Sequence, residues 1–161
     1  MTGNHEYYFR VEDWLPVFGH LGITMLQNEH RTLKVAGGAQ LVIAGVPDQA
    51  AQHYGGAGPD SDLALAGAPD AVRILLAHRP NGIAGKAGVD LQLSGHTHGG
   101  HLFFLKWLIS SFNGGLVQGL YDLGGRVLHV SPGTGVWSGF SCRLGVPSEI
   151  TRIVLRSQGK G

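Results

Sequence analysis

Two apolar runs, each followed by a histidine motif, constrain the fold of this chain more than any other feature. The first is Val72–Ala77 before His78, and the second is Leu91–Leu93 before Ser94-Gly95-His96. Such runs are typical of strands buried on both faces of a largely parallel sheet. In these sheets, ligands bind at the carboxyl ends of the strands. The two runs therefore predict an α/β fold with both histidine motifs at one edge of the sheet.

The rest of the pattern predicts short elements joined by many turns, in keeping with the 27 glycines. Helices are predicted over residues 10–21, from Asp60 or Ser61 through Leu65 and, weakly, over residues 83–88. Residues 46–60 are expected to form a loop. Further strands are predicted at Ile23–Leu26, Thr32–Val35, Gln40–Ala44, Leu116–Tyr121, Val127–Val130 and Ile150–Leu155. Thr32–Val35 and Gln40–Ala44 are expected to form a hairpin.

The composition is that of a folded and nearly neutral domain. A length of 161 residues suits one domain with a sizeable core, and 43% apolar with 14% charged residues argues against disorder. The net charge of +1 would not recruit nucleic acid, so no such partner is expected. No leader pattern or membrane-spanning apolar run is found, and the chain as given is expected to be soluble. The single Cys142 is expected to be buried.

The segment Gly95-His96-Thr97-His98-Gly99-Gly100 has the residue types of a metal site. Its two imidazoles suit Zn, Fe, Mn or Ni, either on one ion or on two neighbouring ions. The glycines allow the backbone to approach a metal or a phosphate closely. His78 could instead be a core histidine bonded to a backbone carbonyl, but its predicted strand lies next to the strand before His96. That position favours a ligand.

Asn4-His5 provides a third element of the same kind. An asparagine offers a neutral carbonyl oxygen to a metal, and His5 could then act as a general acid, or as a charge stabiliser beside a phosphate, without binding metal. The alternative is a surface turn, since Gly3-Asn4 is a common turn pair.

Taken in order, these segments resemble the last three metal and catalytic motifs of the calcineurin-like metallophosphoesterases. The resemblance extends over nearly the whole chain. It is strongest to a bacterial subgroup in which the phosphoesterase domain often follows membrane-spanning segments. It implies an α/β fold that forms the C-terminal half of a four-layer αββα sandwich. It also implies that residues 1–161 are a partial domain that lacks the N-terminal metal-binding motifs.

The resemblance further implies a role for each site residue. Asn4, His78 and His96 would bind one metal ion, His98 would bind a second, and His5 would be the catalytic histidine near the leaving group. The implied reaction is hydrolysis of a phosphomonoester or phosphodiester by a metal-activated water at a binuclear site in the intact parent. The implied cofactors are two divalent ions, with Mn, Fe, Zn and Ni as candidates. The substrate would be a phosphorylated small molecule or lipid, and membrane association could arise through the missing N-terminal segments.

The chain also departs from the family pattern. The family's Asp-x-His and Gly-Asp-x-x-Asp motifs precede Gly-Asn-His-Glu, whereas here Met1 stands three residues before Asn4. The ligands that remain are neutral, which favours Zn or Ni over Mg and gives at most a partial site. Residues 131–140 differ from the subgroup's glycine- and arginine-containing loop. His101 stands where the subgroup often has Gln, and it is expected to line the site.

Two other functions are compatible with this sequence. The chain could be a truncated, catalytically incomplete pseudoenzyme that still binds metal. It could also be a small-molecule or lipid binding module that uses the apolar segment 102–112, in which case ligand binding would survive chelation. That segment is expected to lie in the core or to cover the rim of the site rather than to contact a membrane.

Overall fold

The computed structural model describes residues 1–83, 88–137 and 142–156, and within them the strands form one six-stranded sheet. Its order is β1-β2-β3-β4-β6-β5. The strands are β1 (Glu29–Lys34), β2 (Gln40–Gly45), β3 (Val72–Leu76), β4 (Leu91–Ser94), β5 (Gly119–Asp122) and β6 (Val127–Val130). The α-helices are α1 (Asn4–Tyr8), α2 (Val11–His20), α3 (Ala50–His53), α4 (Ser61–Ala64) and α5 (Lys106–Phe112).

The four inner strands of the sheet are parallel. β2, β3, β4 and β6 run in the same direction, and β1 and β5 pair antiparallel to them at the two edges. Ile74 of β3 lies opposite Ile43 on one side and Leu91 on the other. The carboxyl ends of the inner strands therefore share one edge of the sheet, and the histidine motifs follow two of those ends.

The main core lies on the face of the sheet covered by α4 and the loop after it. Val42, Ala44 and Leu75 from the strands pack with Ala64 and Leu65. The Asp60 side chain accepts hydrogen bonds from the backbone N–H groups of Asp62 and Leu63, which caps α4 as the sequence predicts. The α/β class is confirmed, and one sheet with short flanking helices is consistent with part of the predicted sandwich.

Two of the predicted strands are wrong. Ile23–Leu26 is not a strand: Ile23 N–H donates to Phe18 O at the end of α2, and Leu26 buries its side chain over Gly45 of β2. Ile150–Leu155 is also not a strand, and Ile150 is 90% exposed. Both segments have β-forming residues, but strand formation requires a neighbouring strand with unpaired backbone, which local sequence does not reveal.

The other predicted elements differ from the structure mainly in their limits. Helix 10–21 corresponds to α2, and the hairpin of β1 and β2 forms as predicted, although β1 begins earlier. The predicted loop 46–60 contains α3, and the strand predicted at Leu116–Tyr121 is the shorter β5. The weak helix predicted over residues 83–88 falls on residues 84–87, which lie outside the described residues. Cys142 is exposed, so its predicted burial is wrong.

The apolar segment 102–112 does not enter the core. It forms a 3₁₀ turn at Phe103–Leu105 followed by α5, and Phe103, Trp107 and Phe112 are exposed. Ile109, however, lines the pocket that contains the predicted site. The core alternative is therefore wrong, whereas one side of α5 does lie at the rim of the site.

Candidate functional site

Three of the four predicted metal ligands meet at one point. Asn4 Oδ1 lies 2.8 Å from His78 Nε2 and 3.2 Å from His96 Nδ1, and the two imidazole nitrogens are 3.1 Å apart. The two rings are edge to face, with centroids separated by 4.9 Å. Asn4 is buried, at 7% exposure, and both imidazoles are partly buried. Three donor atoms from residues 4, 78 and 96 therefore converge on one small volume.

The fold explains this convergence. His78 follows β3 after Ala77, His96 follows β4 after Gly95, and the parallel pairing of these strands sets the two ends side by side. Gly95 N–H donates to His78 O, which extends the pairing by one more bond. Asn4 is the first residue of α1, and the helix packs close to the sheet edge because Gly3 has no side chain. A Cβ on Gly3 would lie 3.1 Å from His78 Cε1.

The spacing of these donor atoms fits a shared metal ion. Two ligands of one tetrahedral zinc, each about 2.0–2.1 Å from the metal, lie about 3.3 Å from each other. The observed separations of 2.8 to 3.2 Å are slightly shorter than this value, as expected when hydrogen bonds join the same atoms. A neutral set of two imidazoles and one amide oxygen suits a borderline divalent metal.

His98, the fourth predicted ligand, lines the same pocket but makes none of the contacts that join the other three. The residues that line this pocket, which we call the histidine pocket, are Asn4, His5, Tyr8, His78, Arg79, His96, Thr97, His98, Ile109, Asn113 and Trp137. The pocket has a volume of about 380 Å³. His98 Nδ1 is buried and has no hydrogen-bond partner among the described residues. A buried imidazole nitrogen without a partner fits a ligand position for a second ion.

Arg143 fixes the backbone next to His98. Its guanidinium donates to His98 O at 3.2 Å, to Pro132 O at 2.6 Å and to Gly135 O at 2.6 and 2.9 Å. These bonds join the loop after β6 to the histidine motif. Sequence reasoning missed this residue, because an arginine that binds backbone carbonyls carries no local pattern.

His101 does not line the histidine pocket, and this expectation is wrong. It is almost fully buried behind His98, with the two ring centroids 5.8 Å apart, and Trp137 contacts both rings. The turn formed by Gly99 and Gly100 directs His101 inward, so that it supports His98 rather than facing the pocket.

The environment lowers the pKa of His78, His96 and His98, which favours neutral imidazoles. Burial, together with the nearby His78 and Arg79, lowers the pKa of His96 to about 4. Burial also lowers the pKa of His78, although the carboxylates of Asp48 and Glu6 partly oppose this effect. Burial and the positive charge of Arg143 lower the pKa of His98. Neutral imidazole is the form that binds metal, so the protein environment favours ligation at all three positions.

The predicted catalytic residue, His5, is exposed at the mouth of the histidine pocket. It is the second residue of α1, and its ring centroid lies 5.5 Å from that of Tyr8. It makes none of the contacts that join Asn4 to His78 and His96. His5 is therefore free to meet a ligand in the pocket without disturbing the three converged donors.

Sequence reasoning also missed an ion pair beside the site. Asp48, which follows the carboxyl end of β2, is buried, and both of its oxygens accept from Arg79 Nε, at 3.2 and 3.1 Å. Its Oδ1 also accepts from Ala50 N–H at 2.8 Å. The signal was present in the sequence, because Asp48 follows a parallel strand just as His78 does.

Among the described residues, no carboxylate lines the histidine pocket. Over residues 1–83, 88–137 and 142–156, no group of three or more His, Cys, Asp or Glu side chains is arranged to hold a metal ion. The converged set has only two histidines, and its third donor is the amide of Asn4. Over the same residues, no helix is long and apolar enough to cross a membrane.

The chain is similar to several curated proteins over almost its whole length. It is 36% identical over 173 aligned positions to "Transmembrane protein with metallophosphoesterase domain" of Bos taurus, covering 98% of this chain and 38% of the relative. It is 39% identical to "Uncharacterized metallophosphoesterase" of Helicobacter pylori, covering 96% of this chain and 41% of the relative. It is 34% identical to a protein with the same description from Aquifex aeolicus, covering 99% of this chain and 60% of the relative.

The chain thus spans about two fifths of the length of the first two relatives. No family model matches the sequence, and no solved structure matches it. The similarity to proteins whose descriptions all contain the word metallophosphoesterase, from a vertebrate and from bacteria, nevertheless extends along nearly all of the 161 residues. Over nearly its whole length, the chain is therefore similar to part of proteins described as metallophosphoesterases.

Proposed function

We propose that this chain contributes one side of a binuclear metal site that hydrolyses phosphoesters. The observation that carries the proposal is the convergence of Asn4 Oδ1, His78 Nε2 and His96 Nδ1 within 3.2 Å of one another. A histidine pair and a buried amide that meet at the ends of parallel strands are a ligand set.

Asn4, His78 and His96 hold the first ion in this proposal, and His98 is a ligand of the second. When bound, such divalent ions activate water for attack on phosphorus and neutralise negative charge on the phosphoryl oxygens. The chain's neutral donors favour Zn or Ni among the candidates Mn, Fe, Zn and Ni. Arg143 and the buried His101 keep His98 oriented towards the pocket.

His5 holds a proton near the leaving-group oxygen. An imidazole at the mouth of the pocket can donate this proton as the bond between phosphorus and the leaving oxygen breaks. The imidazolium that carries the proton also stabilises the negative charge that develops on that oxygen. The exposed position of His5 allows it to accept a proton from bulk water between turnovers.

The substrate is a phosphomonoester or phosphodiester of a small molecule or a lipid. The name of the Bos taurus relative describes a transmembrane protein, and a membrane-linked parent would bring the pocket close to lipid phosphates. The net charge of +1 gives no extended basic surface for a nucleic acid. A volume of about 380 Å³ accommodates a phosphoryl group with part of its substituents.

A second candidate for the chain by itself is metal binding without turnover. The observation that favours it is that none of the described residues lining the histidine pocket is an Asp or Glu. Activation of water by two ions requires both ions to be retained. Three imidazoles and one amide divided between two ions bind each ion weakly, because no anionic ligand offsets the charge.

Elemental analysis combined with an activity assay tests both candidates. The chain, and a version extended upstream with the Asp-x-His and Gly-Asp-x-x-Asp motifs, are loaded with Zn, Ni, Mn or Fe and assayed on bis(p-nitrophenyl) phosphate. We expect metal in both proteins and turnover in the extended version. His96→Ala should lose metal, whereas His20→Ala, on the exposed surface of α2, should retain it. Absence of bound metal from both wild-type proteins would refute the proposal.

A further inference from the structure

A second pocket adjoins the histidine pocket. It has a volume of about 570 Å³ and is lined by Tyr8, Gln49, Ala50, His53, Tyr54 and Arg79, and we call it the tyrosine pocket. Tyr8 and Arg79 line both pockets. The two pockets are therefore neighbours, with Tyr8 and Arg79 between the converged donors and a region with two tyrosines.

Arg79 is held in place between the two pockets by a buried acid. Both oxygens of Asp48 accept from Nε of Arg79, while Asp48 itself is fixed by bonds to Ala50 N–H and from its own N–H to Thr2 Oγ1. The guanidinium is thus anchored through one of its three nitrogens. The structure gives its other two nitrogens no acceptor among the described residues. Arginine that is paired in this way offers a planar pair of donors of the kind that binds phosphate.

The tyrosine pocket presents aromatic surface next to those donors. Tyr8 and Tyr54 are 51% and 59% exposed. Tyr54 packs one face against Tyr7, with ring centroids 6.4 Å apart, which leaves its other face available. Gln49 and His53 add polar groups at the wall of the pocket. Exposed aromatic faces beside a phosphate donor suit a ring-containing substituent.

We propose that Arg79 binds the phosphoryl group of the substrate and that the tyrosine pocket receives a ring group on the substrate's organic part. The inference rests on the proposed function, which puts the phosphorus at the converged ligands. Arg79 is then a substrate-binding residue rather than only the partner of Asp48. The preferred substrate class is a phosphoester whose organic group carries a planar ring close to the phosphorus, in preference to one with a short alkyl group.

Binding of two phosphonates, which cannot be hydrolysed, tests this proposal without an activity assay. Phenylphosphonate and ethylphosphonate carry the same charged group and differ in the ring. Their dissociation constants are measured by calorimetry on the metal-loaded chain and on the upstream-extended version. The wild-type protein should bind phenylphosphonate at least about fivefold more tightly, the range that aromatic contacts provide. Tyr54→Ala should remove this preference and change the affinity for ethylphosphonate by less than about twofold.

Arg79 requires a variant that does not leave Asp48 buried without a partner. The double variant Asp48→Asn, Arg79→Met removes both charges and should weaken the binding of both phosphonates by about tenfold or more, with metal content unchanged. Arg73→Met is the matched control. Arg73 lies on β3 and is partly buried, and among the described residues its Nη atoms donate to the backbone oxygens of Pro69 and Gly88. It should leave both affinities unchanged. A melting curve for each variant confirms that it is folded.

Each outcome bears on a different statement. Wild-type affinity for ethylphosphonate in a folded double variant would overturn the role of Arg79. A phenyl preference that is absent, or that survives Tyr54→Ala, would overturn the role of the tyrosine pocket. Binding that depends on Arg79 in an extended protein that hydrolyses no phosphoester would leave this inference standing and remove the proposed function. Turnover in a protein whose phosphonate binding does not depend on Arg79 would leave the proposed function standing and remove this inference.

Discussion

At the scale of single residues, the histidine motif adopts a conformation that is rare for residues with side chains. His96, His98 and His101 have φ values of 69°, 50° and 59°, in the left-handed region. Such conformations cost about 1–3 kcal/mol each and persist only where the surroundings enforce them. Here the enforcing contacts are the β3–β4 pairing before the motif and the bonds of Arg143 after it. Strain at three histidines of one motif fits a functional role for their placement.

The division between ligand and acid predicts different effects for two histidines. In the upstream-extended protein, His96→Ala should abolish turnover and release metal, because it removes one of the three converged donors. His5→Ala should retain metal and lose rate by about 10²–10⁴, the usual contribution of general acid catalysis. Metal content and kcat on the same samples give both results. Loss of metal from His5→Ala with metal retained in His96→Ala would mean that the two roles were assigned to the wrong residues.

The lowered pKa of His96 predicts how the stability of the metal-free chain depends on pH. Its folded pKa of about 4 lies below the usual value of 6.5, so the unfolded chain binds more protons between these values. The contribution of His96 to the free energy of unfolding is therefore complete above about pH 6.5 and is lost as the pH falls towards 4. His78 and His98 shift in the same direction.

Urea unfolding of the metal-free chain at pH 7 and pH 5 measures this effect. Other groups titrate in the same range, so the informative quantity is the difference between wild type and His96→Gln, which carries no titratable ring. The wild type should lose more stability than His96→Gln on going from pH 7 to pH 5. Equal losses in the two proteins would contradict a lowered pKa at His96.

At the scale of elements, the turn after His98 connects the site to α5. Gly100 has φ of 89°, and a Cβ there would lie 2.8 Å from Lys106 Cα in the backbone of α5. Gly38, in the 3₁₀ turn between β1 and β2, has φ of 80°, but a Cβ at this position would meet no atom within 4 Å. The two glycines therefore have the same conformational requirement and differ only in close packing.

Alanine at these two positions separates conformation from packing. Gly38→Ala should lower the free energy of unfolding by about 1 kcal/mol, the cost of a left-handed non-glycine residue. Gly100→Ala should lower it by about 2–4 kcal/mol, because overpacking against α5 adds to that cost. Denaturant titration of both variants makes the comparison. Equal losses would show that α5 yields to the added methyl group, and that it does not hold the turn in place.

The elements also explain which features could be predicted from the sequence. β3 and β4 were predictable because their apolar runs are local, and the positions of His78 and His96 follow from them. The strands predicted at Ile23–Leu26 and Ile150–Leu155 failed because pairing depends on distant backbone. The Asp48–Arg79 pair joins residues 31 positions apart, and the bond from Arg143 to His98 joins residues 45 positions apart. The position of Asp48 after a strand marks that residue, but no local pattern marks its partner or the contacts of Arg143.

At the scale of the whole molecule, the candidate site lies at the edge of one sheet, and much apolar surface of the chain is exposed to solvent. Among the described residues, more large hydrophobic side chains are exposed than are buried. They include Trp107 and Phe112 on α5, at 71% and 75% exposure. An apolar pocket of about 560 Å³ also lies along the strand ends behind His78 and His96. Exposed apolar surface of this extent is unusual for a monomer and favours association.

This surface predicts that the isolated chain binds a hydrophobic dye and associates as its concentration rises. The double substitution Trp107→Gln, Phe112→Gln should reduce dye binding and association without lowering the melting temperature, because both side chains are exposed and contribute little to the core. Leu75→Ala is the contrasting change: Leu75 is fully buried in β3, and its truncation should cost about 2–5 kcal/mol of stability. Dye fluorescence, light scattering and thermal melts distinguish the two variants. A monomer that melts cooperatively and binds no dye would contradict the prediction, since the apolar faces would then be covered in solution.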